Sequence, residues 1–210
     1  MPTNPAVPAG RIDWDLVEKL AVASLLGFLA IRLLPSVVYD GAYLNLLLVL
    51  SESIAVFFVL VRRRTAAISQ RGADWVLGFG GAIAPLLVIG PTGSPVIPYG
   101  YCALLMLGGF LVQFGAKLSL RRSFGVIAAN RGVKASGLYR IVRHPMYAGY
   151  VLTHAGFLLA GPNLWNAALY LLTAALFVVR IGAEERVLRE DPAYLELAKA
   201  VRYMLIPLIY

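Results

Sequence analysis

The chain has 210 residues, of which 60% are hydrophobic and only 14% are charged, and its mean hydropathy is +0.75. Soluble domains carry about 25% charged residues, so this composition argues against a soluble globular protein and indicates several membrane spans. The formal net charge is +8. In a soluble chain that excess would suggest nucleic-acid binding. Here the basic residues fall in short loops between apolar stretches, so we expect the lipid bilayer as partner and no nucleic acid.

Six apolar stretches approach the roughly 20 residues that a spanning helix needs. They run from about Leu16 to Leu34, Tyr43 to Val61, Trp75 to Gly90, Val96 to Leu118, Met146 to Gly161 and Asn163 to Ile181. The first is expected to end at Pro35, because proline breaks a helix interior. The last two are separated only by "GPN", which predicts a tight antiparallel hairpin. The predicted fold is therefore all-α and polytopic, with about six spans, a C-terminal helical hairpin and a polar tail.

Arginine and lysine mark one side of the predicted bundle. They fill the loop after the second stretch and the loop between the fourth and fifth, whereas the loops "PTGSP" and "GPN" carry no charge. Basic loops face the cytoplasm, which places both termini there. The small chain suggests a bacterial inner membrane. The polar segments on this side, the long basic loop and the tail, are where we expect chemistry.

The stretch "RHPMY", residues 143–147, opens the fifth span, and "EE", residues 184–185, follows the sixth. At about 1.5 Å per residue, the two antiparallel arms bring both motifs to one level, and Arg180 with them. Pro145 suits the first position of a helix, where its missing N–H costs nothing. The free N–H groups of that turn can bind an anion. We therefore expect a ligand that combines anionic with cationic or hydroxyl groups.

These motifs resemble the isoprenylcysteine carboxyl methyltransferase and phospholipid methyltransferase group of membrane enzymes. The resemblance rests on RHPxYxG at residues 143–149, on EE, on a spaced tyrosine, Tyr194, and on Arg202 with Pro207 in the tail. "SLRRSFGV", residues 119–126, is similar to the family's approach to the loop. The implied organisation is an N-terminal segment (1–14), N-terminal transmembrane helices (15–110) and a methyltransferase core (111–210).

The resemblance implies that S-adenosylmethionine binds between the hairpin and the tail, and that a lipid-like substrate enters from the bilayer. The implied cofactor contacts are Arg143, His144, Pro145, Tyr147, Gly149, Glu184 and Glu185. The implied substrate contacts are Ser123, Arg143 and Arg202, and the catalytic candidates are Glu185 and Arg202. Either arginine could hold an anionic head as a planar bidentate donor.

The acceptor stays open at this stage. An isoprenylcysteine carboxylate is the first choice, and it needs no general base. The alternative is a phospholipid amine or another small hydrophobic acceptor, and an amine must lose a proton that Glu185 could take. A transporter or lipid-binding protein is the competing class, and Glu52 and His154 are the intramembrane polar residues that it would use. With two histidines and one cysteine in the chain, we expect no metal site. The oligomeric state is not predicted.

Overall fold

The computed structural model describes residues 13–207 except 41–42, 64 and 66–67. In this part the chain is helical, with an isolated bridge between Ile68 and Ala129 and no strand. The all-α prediction is confirmed. The α-helices are α1 Trp14–Asp40, α2 Tyr43–Val61, α3 Gly72–Ile83, α4 Tyr99–Leu120, α5 Pro145–Ala160, α6 Leu164–Leu188 and α7 Pro192–Ala200.

Three of the described helical segments are long and apolar enough to cross a membrane: Trp14–Tyr39, Tyr99–Ser123 and Leu164–Leu188. These correspond to the first, fourth and sixth predicted spans. Helix α2 coincides with the second predicted span and has 19 residues, whereas α5 has only 16. Six crossings stay a prediction. The predicted N-terminal segment, 1–14, lies mostly outside the described residues, and α4 runs through the predicted boundary at residue 110 without a break.

Two predicted helix boundaries are wrong. Helix α1 does not end at Pro35 but continues to Asp40. Within a bilayer, ending a helix exposes several unpaired backbone groups, whereas an internal proline removes only one hydrogen bond. The third stretch is not one continuous helix, because α3 ends at Ile83 and a 3-10 turn, Ala84–Leu87, follows it. Twelve residues extend only about 18 Å, less than the roughly 30 Å hydrocarbon core.

Helices α4 and α5 pack with their backbones in close contact. A Cβ on Gly109 would lie 2.6 Å from the Gly149 carbonyl oxygen, and a Cβ on Gly149 would lie 2.7 Å from that of Gly109. At Gly156 a Cβ would lie 2.8 Å from the Cys102 oxygen. Small residues at these crossings let the helices approach. Helix α5 thus makes its most extensive contacts with α4, and α6 with α3. The predicted hairpin of α5 and α6 has its short connection, and the two helices touch, but they pack less closely against each other than expected.

One end of the bundle collects the polar side chains. It comprises the N-terminal ends of α1, α3 and α5, the C-terminal ends of α2, α4 and α6, and α7; we call it the polar end. Ion pairs fasten the helices there. Arg62 Nη2 lies 2.8 Å from Asp15 Oδ1, joining α2 to α1. Arg186 Nη2 lies 2.6 Å from Asp74 Oδ2, joining α6 to α3.

Candidate active site

The start of α5 and the end of α6 meet at the polar end. Pro145 occupies the first turn of α5, directly after His144. His144 Nε2 lies 3.0 Å from Glu185 Oε1, and its Nδ1 lies 3.6 Å from Glu184 Oε2. The predicted proximity of the histidine to both glutamates is confirmed.

Arg143 fastens the tail to the start of α5. Its guanidinium Nε donates to Glu185 Oε1 at 2.9 Å, and its Nη1 donates to the carbonyl oxygens of Val201 at 2.8 Å and Arg202 at 3.0 Å. The backbone N–H of Arg143 donates to Tyr203, and that of His144 to Met204. The side chain is buried, and these bonds occupy all three guanidinium nitrogens once the longer contact from Nη2 to Glu185 is included.

The two glutamates differ in their surroundings. Glu185 faces the tail: it accepts from the Tyr194 hydroxyl, and Arg189, one turn later, donates to it at 3.1 Å from Nε. Glu184 accepts from the Tyr147 hydroxyl and from Arg180 Nε at 3.2 Å. Glu184 lines a cavity, and Glu185 is not among the described lining residues. Glu185 therefore holds the tail, while Glu184 borders open space.

The electrostatics of the cluster favour a charged histidine. Burial alone would lower the pKa of His144, but hydrogen bonds and charges from Glu184 and Glu185 more than offset it and hold that pKa above its ordinary value of 6.5. Burial, with the nearby Glu185, raises the pKa of Tyr194, so its hydroxyl stays protonated and donates. Both carboxylates next to His144 thus favour the protonated form of its ring.

Two cavities adjoin this cluster. The polar cavity lies under the loop of residues 123–134 and is bordered by Tyr139, His144, Tyr147, Glu184 and Tyr194. The apolar cavity lies between α1, α2, α3, α4, α5 and α6 and contains few polar groups. Both cavities are lined by Met146 and Tyr147. A ligand in one would therefore be a neighbour of a ligand in the other across the first turn of α5.

Arg180 and His154 are two of the polar side chains that line the apolar cavity, and each packs against a tyrosine ring. Arg180 is the only charged side chain among its described lining residues, and its guanidinium lies over the Tyr147 ring, 5.5 Å from the centroid. His154 stacks on Tyr170, with 4.3 Å between ring centroids, so it is a packed side chain. The side chain of Glu52 lies outside the described residues.

Other predicted site residues lie apart from the cluster. Ser123 lines the polar cavity, where its hydroxyl donates to the Arg131 carbonyl at 2.9 Å. Gly149 lies at the crossing with α4. Arg202 is exposed, and its backbone carbonyl, not its side chain, contacts Arg143. The binding and catalytic roles of these residues stay predictions.

The sequence reasoning missed a buried ionic group formed by Asp15 and Glu18 with Arg62 and Arg131. The sequence does contain a pattern that indicates this group. Two acids three residues apart share one helix face, and acids in an apolar helix are costly without basic partners. Arg180 was expected at the same height in the bundle as His144 and Glu184, but not as a site residue. Its position four residues before Glu184 is typical of the ion pair that these two residues form.

The segment that holds most of α4, the basic loop, α5 and α6 is similar to a known family. Residues 103–190 match the Isoprenylcysteine carboxyl methyltransferase (ICMT) family. The resemblance read from the motifs is confirmed over this segment, which contains the His144 and Glu184 cluster. The ICMT match leaves out α1 to α3 and the tail from Asp191 onward. No curated protein sequence matches the chain.

Proposed function

We propose that this protein is an S-adenosylmethionine-dependent membrane methyltransferase that methylates the polar head of a lipid-like acceptor. The observation that carries the proposal is the meeting of a polar cavity and an apolar cavity at Met146 and Tyr147. A methyl donor is polar, and a lipid acceptor is largely apolar. The match to a methyltransferase family over residues 103–190 supports the same reading.

The donor set of the polar cavity fits S-adenosylmethionine. The cofactor carries an ammonium, a carboxylate and ribose hydroxyls. Glu184 offers a carboxylate for the ammonium or for a ribose hydroxyl, and His144 lines the same cavity beside it. Tyr139 and Tyr194 add aromatic surface. When bound, the cofactor supplies a methyl group on a positively charged sulfur, which becomes a neutral thioether after transfer.

The chain's contribution would be alignment and exclusion of water. Tyr147 is fully buried, its hydroxyl is bound to Glu184, and it stands between the cavities. The Arg180 guanidinium fixes the ring from the α6 side. Tyr147 would thereby hold the two ligands at a constant separation. Glu185 would act as a positioning residue, because its partners Arg143, His144, Arg189 and Tyr194 already occupy its oxygens.

The acceptor we favour carries a carboxylate, as isoprenylcysteine does. Arg180 borders the apolar cavity beside Tyr147, and the described contacts use only the Nε–H of its five donors. It is therefore better placed than exposed Arg202 to bind an anionic head. Methyl transfer would form an oxygen–carbon bond and break the sulfur–carbon bond, so a carboxylate acceptor needs no base.

An amine acceptor is the second candidate. Such a nitrogen must lose a proton, and Glu184, which lines the polar cavity, would be the base in place of the fully bound Glu185. Phospholipid amines would then fill the apolar cavity with their acyl chains.

A transfer assay separates these acceptors. Protein in nanodiscs would receive tritium-labelled S-adenosylmethionine and one of three acceptors: an S-farnesyl cysteine derivative, the same molecule with its carboxylate blocked as an amide, or phosphatidylethanolamine. We expect label on the free carboxylate, released as methanol by alkali, and none on the amide. Alkali-stable label on phosphatidylethanolamine would favour the amine reading. Transfer to none of them by a folded protein would contradict the proposal and favour a lipid-binding role.

A further inference from the structure

The first turns of α1 contain two buried carboxylates. Asp15 is 7% exposed and Glu18 is 0% exposed, and their spacing of three residues puts them on one face of the helix. Two buried arginines face them: Arg62, just after α2, and Arg131, in the loop before α5. Two acidic side chains thus face two buried arginines at the polar end, and a third basic side chain, Lys19, lies 3.2 Å from Asp15 at the edge of the group.

Glu18 has contacts that the other members of this group lack. Its Oε1 accepts from the backbone N–H groups of Val126 at 2.6 Å and Ile127 at 3.0 Å. The same oxygen lies 2.7 Å from Arg62 Nη1, and Oε2 accepts from Arg131 Nη2 at 3.3 Å. A side chain on α1 therefore binds the backbone of a loop more than a hundred positions later.

The loop segment that Glu18 holds separates the two cavities. Phe124 and Val126 line the apolar cavity, whereas Gly125 and Ile127 line the polar cavity. The chain thus alternates between the two sides. Arg131 lies against the segment so closely that a Cβ on Gly125 would come within 2.4 Å of Arg131 Nη1. We call residues 124–131 the partition loop.

We propose that Glu18 is a positioning residue that fixes the partition loop beside Tyr147, so that the polar and apolar cavities stay separate but adjoining. Helix α1, which lies outside the family match, thereby acts on the site through the partition loop. The role in methyl transfer rests on the proposed function; the holding of the loop does not.

Asp15 supplies a matched control for a merely structural role. Both carboxylates belong to the same ionic group, and removal of either leaves buried arginine charge without one partner. Asp15 accepts from Arg62 Nε at 3.0 Å, but no described contact joins it to the backbone of the partition loop. A difference between the two positions therefore measures the bonds of Glu18 to the partition loop, which are those to the Val126 and Ile127 amides and the one to Arg131.

Hydrogen–deuterium exchange tests the loop without reference to activity. With native-like melting established for each variant in nanodiscs, we expect Glu18→Ala to speed exchange in peptides covering 124–131 by about tenfold or more. Asp15→Ala should change it by less than about threefold. Glu18→Gln keeps an oxygen that can accept from both amides and should restore most of the protection. If Glu18→Ala does not fold, the pair Glu18→Met and Asp15→Leu replaces the alanine pair.

Equal exchange in the two alanine variants, or no rescue by glutamine, would overturn the proposal. Kinetics then extend the test to the reaction. Relative to Asp15→Ala, we expect Glu18→Ala to lower kcat by about tenfold with a smaller change in the KM of the acceptor. Equal kcat in these two variants would also overturn the positioning role. Absence of methyl transfer in the unaltered protein would refute the proposed function, and the exchange result would still decide whether Glu18 holds the loop.

Discussion

His144 Nε2 lies 3.0 Å from Glu185 Oε1, and this contact joins the residue before α5 to the last turns of α6. The same glutamate binds Arg143 and Tyr194. One carboxylate thus connects the entrance of α5, the end of α6 and the tail helix α7. The cavity wall that carries Glu184 is built on this junction.

Removing the Glu185 carboxylate should destabilise the junction. Glu185→Ala leaves the buried Arg143 guanidinium without its carboxylate partner, and breaking a buried pair in this way costs about 3–5 kcal/mol. We expect a clear fall in melting temperature, with faster proteolysis of the tail. Glu196→Gln is the control, because the Lys199–Glu196 pair is exposed and should contribute little. Equal melting of the two variants would contradict this assignment.

The raised pKa of His144 predicts a pH-dependent stability. A group whose folded pKa lies above its unfolded value stabilises the protein fully below the unfolded value, here 6.5, and loses that contribution as pH rises through the folded pKa. Melting temperature should therefore fall as pH increases beyond 6.5. His144→Gln should flatten this dependence. His154→Gln, which alters the other of the chain's two histidines, should leave it intact; flattening by His154→Gln alone would argue against the assignment.

The close packing of α4 on α5 can be tested by substituting two adjacent glycines of α4, one at the crossing and one away from it. A Cβ at Gly109 would meet backbone atoms of α5 at 2.6 Å, whereas one at Gly108 meets nothing within 4 Å. Gly109→Ala should lower the melting temperature, because neither backbone can move without opening the crossing. Gly108→Ala should be neutral or slightly stabilising, since alanine favours a helix by up to about 1 kcal/mol. Similar melting of both variants would contradict the packing described.

Several of these relationships could be predicted from the sequence, because each depends on spacing along a helix or across one short connection. The level of His144 relative to Glu184 and Glu185 follows from helix rise on two arms with a three-residue connection, and the structure confirms it. Pro145 at the start of α5 follows from proline's missing N–H. The Arg180–Glu184 pair follows from four-residue helical spacing.

The packing between helices that are distant in the chain could not be predicted from the sequence in this way. The choice of α4 as the partner of α5 depends on three glycines meeting backbone across the crossing, and sequence spacing alone does not pair Gly109 with Gly149. Glu18 binds the backbone N–H groups of Val126 and Ile127. Because every residue except proline carries such a group, no pattern of side chains in the sequence predicts these bonds. The continuation of α1 through Pro35 reflects the surroundings of the helix rather than the residue.

Arg180 and Arg202 should differ in their effect on the acceptor. Arg180 borders the apolar cavity and Arg202 is exposed. We expect Arg180→Gln to raise the KM for a carboxylate acceptor by about tenfold or more, as expected for loss of a charged hydrogen bond. Arg202→Gln should change it little. Steady-state methyl transfer at saturating S-adenosylmethionine measures both, and a larger effect at Arg202 would restore the tail arginine as the head-group contact.

The polar cavity beside Glu184 is the site that we propose for S-adenosylmethionine. Isothermal titration calorimetry on protein in nanodiscs tests it most directly, with Glu184→Gln compared with the exposed Glu196→Gln. We predict saturable binding by the unaltered protein and by Glu196→Gln, and affinity weaker by about tenfold or more in a folded Glu184→Gln variant. No binding to folded native protein, or equal affinity in all three proteins, would show that S-adenosylmethionine does not bind beside Glu184.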